Sequence, residues 1–419
     1  MTIGIRWLSV GPTSGYGDAS EAYLSGLRAA GVPVSWTPLG WHEGVWSQAF
    51  GPRKDPDVTG LIHADIVNVA IEHDTVVVAA PPLWNDQLAA EAAGRRLVAY
   101  TTWETDRIPD EWLEVLGHYD VVLVPSVFNR DTFVASGLGT PVRVVPHIAR
   151  PSDPTLGEAG NDGDSRFVFY TVASWTARKA VLDTVDAFVN AFGADDDVVL
   201  VIHTSAVDHI AQARPPSQGA PGGRRNQTWY TLAGALAGRS DLANIVLSTR
   251  TLDRAGIEAL HERGDCFVSL SRGEGWGLGA LDAGNRGNPI VVTGWGGTLD
   301  MLPPGYPYCA DYDLVPTSLD AADDWWSPRR GERWAKVRVA HAATLLRHVY
   351  EHRAEARQWG GRLQATIRSR FDSAPVTRGL LHALASEADA PGSDRRAARD
   401  GQGAQSAPLE DSPPAERQH

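Results

Sequence analysis

Cysteine is almost absent from this sequence, which contains only Cys266 and Cys309. Their spacing matches neither a zinc site nor a disulfide framework, so we expect two reduced, structural thiols. No stretch approaches the roughly 20 apolar residues that a membrane-spanning helix needs. Residues 1–10 also lack the basic start and the long apolar stretch of a signal peptide. These absences predict a soluble, cytoplasmic protein, and they leave contact with a membrane surface open.

Positive charge is also scarce, since 38 lysines and arginines stand against 51 aspartates and glutamates, for a net charge of -13. Proteins hold nucleic acid largely by neutralising its phosphates with basic side chains. The charge balance therefore argues against a nucleic-acid partner. Residues 386–419 contain no Val, Ile, Phe, Trp or Tyr. Such a segment buries too little apolar surface to offset the entropy of ordering, so we expect a disordered tail.

Short apolar runs alternate with segments of helical period along most of the chain. The first series of runs lies at residues 4–8, 32–36, 65–70, 75–79, 97–101, 120–124 and 142–145. The second series lies at residues 167–172, 198–203, 245–248, 266–270 and 289–293. Buried strands separated by helices are typical of a parallel sheet that is covered on both faces. The polar stretch between the two series, residues 150–165, is typical of a linker.

This pattern predicts an α/β protein with two Rossmann-like domains, residues 1–152 and 165–370. A long helix at about 330–353 is expected near the end of the second domain. A last helix within residues 371–385 is expected to return to the first domain, ahead of the tail at 386–419.

Residues 271–282 carry the most informative motif, which follows a predicted buried strand and opens a helix. Glycines on both sides of Trp276 let the backbone approach a ligand closely, and free amides at the helix start favour an anion. The carboxylates of Glu274 and Asp282 could bind hydroxyls of a sugar and of a ribose. An ordinary strand-to-helix turn with a solvent-facing Glu274 is the alternative.

Residues 274–282 resemble the signature of the family 4 retaining glycosyltransferases of the GT-B fold, and residues 287–297 continue the pattern. The resemblance implies two Rossmann-like domains that face each other across a central cleft. It places Glu274 near the transferred sugar. It places Asp282, where the family usually has Glu, on the ribose of the donor nucleotide. The donor contacts implied by this motif come from Glu274, Gly275, Trp276, Gly277, Leu278 and Asp282.

A second match spans residues 169–179, which read as a strand, a loop and the start of a helix. Departure of the leaving group puts negative charge on a diphosphate, and a lysine beside a helix N-terminus stabilises that charge. The family has a lysine at the position of Lys179 and usually an arginine five residues earlier. Ser174 stands there, so the companion role falls to Arg178 or to the Ser174 hydroxyl. A solvated basic pair is the alternative.

The glycine-rich turn at residues 11–19 follows the first predicted strand. By itself it is compatible with a dinucleotide site or with a plain loop. A dehydrogenase would normally have an acid at the end of the second strand, and residues 34–37 contain none. The resemblance instead implies that Gly15, Tyr16 and Gly17 face the donor phosphates and the acceptor.

Residues 100–109 follow a buried strand, at the end where open α/β sheets bind ligands. Many family members have a His-Asp pair near this point, whereas this sequence has Trp103 and Glu104. The stretch resembles a subgroup in which Trp-Glu-Thr-Asp is usual. We predict that Glu104 or Asp106 orients or deprotonates the acceptor hydroxyl. A capping acid beside a packing Trp is the alternative.

Two further features have simpler interpretations. Asp-x-Asp triplets hold a metal in the other large glycosyltransferase fold, but here they lie in polar or linker stretches and are interpreted as chance pairs. They are Asp55/Asp57, Asp162/Asp164, Asp195/Asp197 and Asp311/Asp313. His147 marks the end of the first domain in the family pattern and either lines the cleft or is structural.

The sequence thus predicts a retaining hexosyltransferase that moves a sugar from a UDP- or GDP-sugar to a hydroxyl. The acceptor is expected to be a saccharide, a lipid-linked saccharide or a small natural product. The resemblance implies no metal and no cofactor, since the nucleotide sugar is a co-substrate. The expected catalytic residues are Glu274, Lys179, Glu104 and Asp106. The alternatives are a nucleotide-sugar-binding protein without transferase activity and a nucleotide-sugar epimerase on the same scaffold.

Overall fold

The computed structural model describes residues 4–11, 14–42, 45–48, 63–151, 166–209, 226–317 and 331–386. In these residues the chain forms two α/β domains, each built on one large sheet, and a separate two-stranded hairpin. No helix among them has the length and apolar character that crossing a membrane requires.

The first domain contains a seven-stranded sheet in the order β3-β2-β1-β4-β5-β6-β7, parallel except for β3. Its central strands are buried over nearly their whole length, because helices cover both faces. The strands are β1 (Gly4–Val10), β2 (Val34–His42), β3 (Val45–Gln48), β4 (His73–Ala79), β5 (Arg96–Tyr100), β6 (Val121–Val124) and β7 (Val142–Val144). The helices are α1 (Gly15–Ala29), α2 (Asp86–Ala92), α3 (Asp110–Gly117) and α4 (Val127–Ala135).

The second domain contains a six-stranded parallel sheet in the order β10-β9-β8-β11-β12-β13, followed by the antiparallel hairpin β14–β15. The strands are β8 (Phe167–Val172), β9 (Val198–His203), β10 (Asn244–Ser248), β11 (Cys266–Ser269), β12 (Ile290–Thr293), β13 (Cys309–Ala310), β14 (Tyr312–Pro316) and β15 (Arg333–Val337). The helices are α5 (Val181–Ala191), α6 (Gln227–Leu236), α7 (Arg254–Arg263), α8 (Leu278–Asn285), α9 (Val339–Glu351) and α10 (Arg353–Arg370). A last helix, α11 (Ser373–Ala385), follows the second domain.

Two predicted elements differ from the structure. The run at 65–70 was expected to be a strand, but it forms a 3-10 turn, Ala64–Ile66, and one isolated bridge at Val67. Asn68 has φ of 52°, which interrupts an extended chain. The long helix expected at 330–353 begins only at Val339, because the preceding residues pair with β14 as β15.

The helix α11 lies against α1 of the first domain. A Cβ on Gly26 of α1 would overlap the Thr377 hydroxyl of α11, so the two helices are in close contact. Val376 and Leu380 of α11 are buried in the main core. The linker at 152–165 and the tail from 387 onward lie outside the described residues. Both cysteines are free thiols.

Candidate active site

The strand order of the second sheet reverses between β8 and β11, which are hydrogen-bonded neighbours. Open α/β sheets bind ligands in the crevice outside the carboxyl ends of strands at such a point. The loop after β8 carries Arg178 and Lys179, and the loop after β11 carries Glu274. In the first domain, the loop after β5 carries Glu104.

Four charged side chains from these loops form one cluster across the cleft. Lys179 Nζ donates to Glu274 Oε1 at 2.5 Å. Arg178 Nη1 donates to Glu274 Oε2 at 3.3 Å and to the Gly273 carbonyl at 2.8 Å. Arg178 Nη2 lies 3.5 Å from Glu104 Oε1. Arg178 therefore joins a carboxylate of each domain, and the four side chains are between 13% and 23% exposed.

The pKa values of the two carboxyl groups in this cluster are shifted in opposite directions. Burial would raise the pKa of Glu274, but the charges of Lys179 and Arg178 outweigh it and hold this pKa at about 2. Burial raises the pKa of Glu104 above its ordinary value, the charge of Glu274 raises it further, and Arg178 opposes both. Glu274 is thus a permanent anion, whereas Glu104 takes up a proton more readily than an ordinary glutamate.

The glycine-rich turn after β11 packs directly on the first domain. A Cβ on Gly273 would overlap the Glu104 carbonyl, and a Cβ on Gly275 would overlap the Thr102 hydroxyl. Gly277 has φ of 92°, a conformation that residues with a side chain rarely adopt, and it precedes α8 directly. The small residues of this motif therefore allow the two domains to approach each other at the cleft.

The side chains of Trp276 and Leu278 differ in how much of their surface is exposed to solvent. The Trp276 ring is 3% exposed and packs against Phe371 and His147, with ring centroids 5.0 and 6.1 Å away. A donor could contact Trp276 only through its backbone. Leu278 is partly exposed and lies beside Gly15 of the first-domain turn, where a Cβ would be 3.8 Å from Leu278 Cδ1.

The first-domain turn is connected to the end of β5. Ser14 caps α1 by accepting a hydrogen bond from the Gly17 amide. The Tyr16 hydroxyl bonds Thr101 Oγ1 at 3.0 Å and accepts a hydrogen bond from the Thr102 amide at 3.3 Å. Tyr16 thus holds the turn beside the loop that carries Glu104.

Asp282 of α8 interacts with a second set of charged side chains. Burial raises the pKa of Asp282 to about 6, against the opposing charges of Arg150 and Arg286. Arg150 pairs with Asp18 of α1 at 2.9 Å. Arg150 was not predicted as a site residue, because it lies at the start of the predicted linker and belongs to no motif.

Asp106 and Ser174 lie outside the four-residue cluster. The Asp106 carboxylate accepts hydrogen bonds from the Arg333 amide at 2.6 Å and from Arg333 Nε at 2.8 Å. Asp106 is thus bonded to Arg333, whereas Glu104 belongs to the cluster. Ser174 is exposed, and of the two predicted companions of Lys179 it is Arg178 that contacts the cluster.

His147 is a buried histidine of the core. Its Nδ1 lies 3.1 Å from the Tyr100 hydroxyl and 3.4 Å from the Tyr23 hydroxyl. Burial lowers its pKa to about 3, so the ring is neutral. These contacts correspond to the structural interpretation.

The described part of the chain contains no group of three His, Cys, Asp or Glu side chains that could hold a metal ion. Among the Asp-x-Asp pairs, Asp313 is paired with Arg338, and the Asp197 carbonyl accepts a hydrogen bond from the Phe167 amide. The pairs Asp55/Asp57 and Asp162/Asp164 lie outside the described residues.

No protein-family model and no curated protein sequence matches this chain. Solved structures do match. A glycosyltransferase from Rickettsia africae ESF-5 has 12% identity and a TM-score of 0.62, over 91% of this chain and 98% of that one. A UDP-forming α,α-trehalose-phosphate synthase from Burkholderia xenovorans has 14% identity and a TM-score of 0.60, over 93% and 100%.

A more distant match is the S. aureus TarM G117R mutant in complex with fondaparinux, α-GlcNAc-glycerol and UDP. It has 11% identity and a TM-score of 0.51, over 74% of this chain. This chain spans only 55% of the length of that protein. At such low identities the matches show the fold alone. Together with the two facing Rossmann-like sheets, they show that the chain has the GT-B fold.

Proposed function

We propose that this protein is a retaining glycosyltransferase that moves a sugar from a nucleotide-diphosphate sugar, UDP- or GDP-linked, to an acceptor hydroxyl. The observation that carries the proposal is the Lys179–Glu274 pair at the reversal point of the second sheet, joined through Arg178 to Glu104 across the cleft. The proposed reaction needs no metal and no cofactor.

Lys179 would stabilise the leaving diphosphate. An ammonium group has three hydrogens to donate, so binding Glu274 leaves others for phosphate oxygens. Positive charge already in place where negative charge develops lowers the barrier without reorganisation. Glu274, ionised at any physiological pH, would accept hydrogen bonds from hydroxyls of the donor sugar. Asp282 would bind the ribose.

Glu104 would act on the acceptor. Its raised pKa makes it a better proton acceptor than an ordinary glutamate. The acceptor would be a saccharide, a lipid-linked saccharide or a small natural product bound on the first domain. A UDP-sugar is the first donor to test, because the trehalose-phosphate synthase is UDP-forming and the TarM structure contains UDP.

A thermal-shift panel of UDP- and GDP-sugars, followed by a transfer assay, tests the proposal. A ligand that binds only the native state raises its melting temperature. Lys179→Ala should lower turnover by about 100-fold or more, the usual effect of removing one such electrostatic donor. Lys336→Ala, which removes an exposed lysine of β15, is the matched control and should leave turnover unchanged.

Three outcomes bear on the alternatives. Stabilisation by a nucleotide sugar without transfer to any acceptor would indicate a binding protein. Conversion of the donor sugar to its epimer would indicate an epimerase. Product with inverted anomeric configuration, or activity abolished by a chelator, would contradict retention or metal independence.

A further inference from the structure

The hairpin β14–β15 of the second domain contacts the loop that carries Glu104. Asp106 and Arg333 share three hydrogen bonds, because the Asp106 amide also donates to the Arg333 carbonyl at 3.0 Å. Next to this pair, Thr105 Oγ1 donates to Glu332 Oε2 at 2.7 Å. Thr105 and Glu332 are both buried. Two consecutive residues of the Glu104 loop, Thr105 and Asp106, are therefore each hydrogen-bonded to the hairpin.

The same hairpin is joined to the glycine-rich turn of the second domain. The Ala335 amide donates to the Arg272 carbonyl at 2.8 Å, and the Arg272 guanidinium lies over the Trp334 ring at 5.4 Å. The next residue of the turn, Gly273, packs against the Glu104 carbonyl. Hairpin and turn thus hold Glu104 and its two following residues from two directions.

We propose that Arg272, Gly273 and residues 332–335, named here the interdomain clamp, position Glu104 for the acceptor, with Arg333 and Asp106 as positioning residues. The inference rests on the proposed function, in which Glu104 activates the acceptor hydroxyl. Glu104 then reaches its working position only when the second domain lies against the first. The domain that binds the donor would thereby complete the acceptor site.

Loss of the contact between Asp106 and Arg333 should displace Glu104 and should hardly change the folding free energy. Arg333 is 56% exposed and Asp106 is 23% exposed, and exposed ion pairs contribute little to folding free energy. Three hydrogen bonds to one residue nevertheless fix the direction of the loop. A displacement of about 1 Å at a reacting group can lower the rate by about 100-fold.

The chain provides a matched control at the same hairpin, between β14 and the residue that follows β15. Arg338 and Asp313 form an equivalent two-bond ion pair, with Nε–Oδ2 and Nη2–Oδ1 distances of 3.1 and 2.7 Å. Both partners are exposed and both belong to the second domain. Removing this pair removes a similar interaction without affecting the loop of Glu104.

The experiment compares Asp106→Ala, Arg333→Ala and their double variant with Asp313→Ala and Arg338→Ala. Transfer at saturating donor and acceptor should fall about 10- to 100-fold in the first set, with donor affinity unchanged. The double variant should be no worse than Asp106→Ala, because both changes remove one shared contact. The control set should stay within about twofold of wild type, and Arg333→Lys should recover part of the loss.

The pH profile separates positioning from a merely structural role. When Glu104 is less firmly held, its burial decreases, so the acid limb of the transfer profile should move toward the ordinary glutamate value in Asp106→Ala. Equal transfer rates and equal profiles in the first set and in the control set would overturn the inference.

Hydrogen exchange provides a readout that needs no activity. The Arg333 amide donates to Asp106 Oδ1, so its protection should fall by about 10-fold or more in Asp106→Ala and stay unchanged in Asp313→Ala. If wild type transfers no sugar, the proposed function fails while exchange still tests the clamp. Unchanged protection would overturn the clamp whether or not the protein is an enzyme.

Discussion

At the scale of single residues, Arg178 determines how the two glutamates of the cleft differ. It contacts both, but Glu274 also has Lys179 at 2.5 Å, whereas the Arg178 contact of Glu104 is longer, at 3.5 Å. At Glu274 the neighbouring charges and hydrogen bonds together outweigh the effect of burial on the pKa, whereas at Glu104 burial prevails. Two carboxylates of equal ordinary pKa are thus suited to different tasks, a fixed anion and a proton acceptor.

Glu104→Gln should keep donor affinity, because the proposed donor contacts lie in the second domain. Transfer should fall by roughly 10²- to 10⁴-fold, the usual contribution of general-base catalysis. In wild type, transfer should rise with pH through the raised pKa of Glu104, and this limb should be absent from the variant. Rates against pH, with exposed Glu114→Gln on α3 as the control, provide the measurement. Near-normal transfer in Glu104→Gln would leave Glu104 a structural role.

Asp282→Asn should raise the melting temperature at pH 8 and have little effect at pH 4. The folded-state pKa of Asp282, about 6, lies above its ordinary value of 3.8 because of burial. A carboxyl group whose pKa is higher in the folded state stabilises the fold at pH values below its unfolded-state pKa. This stabilisation is lost as the pH rises through the folded-state pKa. The amide of the variant carries no charge, so the loss of folding stability that ionised Asp282 causes above about pH 6 does not occur.

Asp196→Asn serves as a control in which the melting temperature should change in the opposite direction. A hydrogen bond from Arg347 lowers the pKa of Asp196, so its charge stabilises the fold at neutral pH and the amide should lower the melting temperature there. If Asp282→Asn also melted lower than wild type at pH 8, the carboxylate would be held favourably by Arg150 and Arg286.

At the scale of elements, the sequence predicted best those strands whose pattern is a continuous apolar run. The strands β4, β8 and β11 are of this kind, and the motifs at their ends follow from strand-turn-helix order. The hairpin β14–β15 was not predicted, because short strands with mixed polar residues carry no such signal. The contact between Arg178 and Glu104 was also not predicted, since it depends on how two separate domains face each other.

The turn between β11 and α8 gives a prediction at this scale. Gly275→Ala should leave each domain folded but lower transfer strongly, because the new methyl group would overlap the Thr102 hydroxyl and keep the domains apart. Thr102→Gly in the same chain should restore part of the activity by removing that hydroxyl and its Cβ. Gly361→Ala on α10, with open space around it, should be harmless or stabilising by up to about 1 kcal/mol. Full activity of Gly275→Ala would show that this contact is dispensable.

At the scale of the whole molecule, the two domains meet along the cleft at several independent points. The Val127 amide of α4 donates to Asp300 Oδ2 at 2.6 Å, and Phe128 packs edge-on against Trp295 with centroids 4.8 Å apart. These contacts add to those of the glycine-rich turn and of the hairpin. Because one arrangement of the domains satisfies all of them, the residues proposed to bind the donor and the acceptor reach their positions together.

The last helix of the described residues, α11, packs on the first domain. The predicted tail began at Ser386, but the Ser386 carbonyl accepts hydrogen bonds from Arg96 at 2.8 Å and from Arg143 at 3.3 Å. Arg143 also donates to the Ala383 carbonyl at 2.9 Å. Ser386 therefore belongs to the packed chain, and a truncation that tests the tail has to begin after it.

Two truncations should have opposite results. Ending the chain at Asp372 removes α11 and with it the buried side chains of Val376, Leu380 and Leu384. Burial of three such side chains contributes roughly 5–9 kcal/mol, which is comparable to the whole stability of a typical domain, about 5–15 kcal/mol. This variant should unfold or aggregate, since the apolar surface of α1 is left uncovered.

Ending the chain at Ser386 keeps every one of these contacts. Because the composition of the removed segment offers no core, melting temperature and elution volume should match the full chain. A melting temperature lowered by several degrees would show that residues beyond 386 pack on the protein.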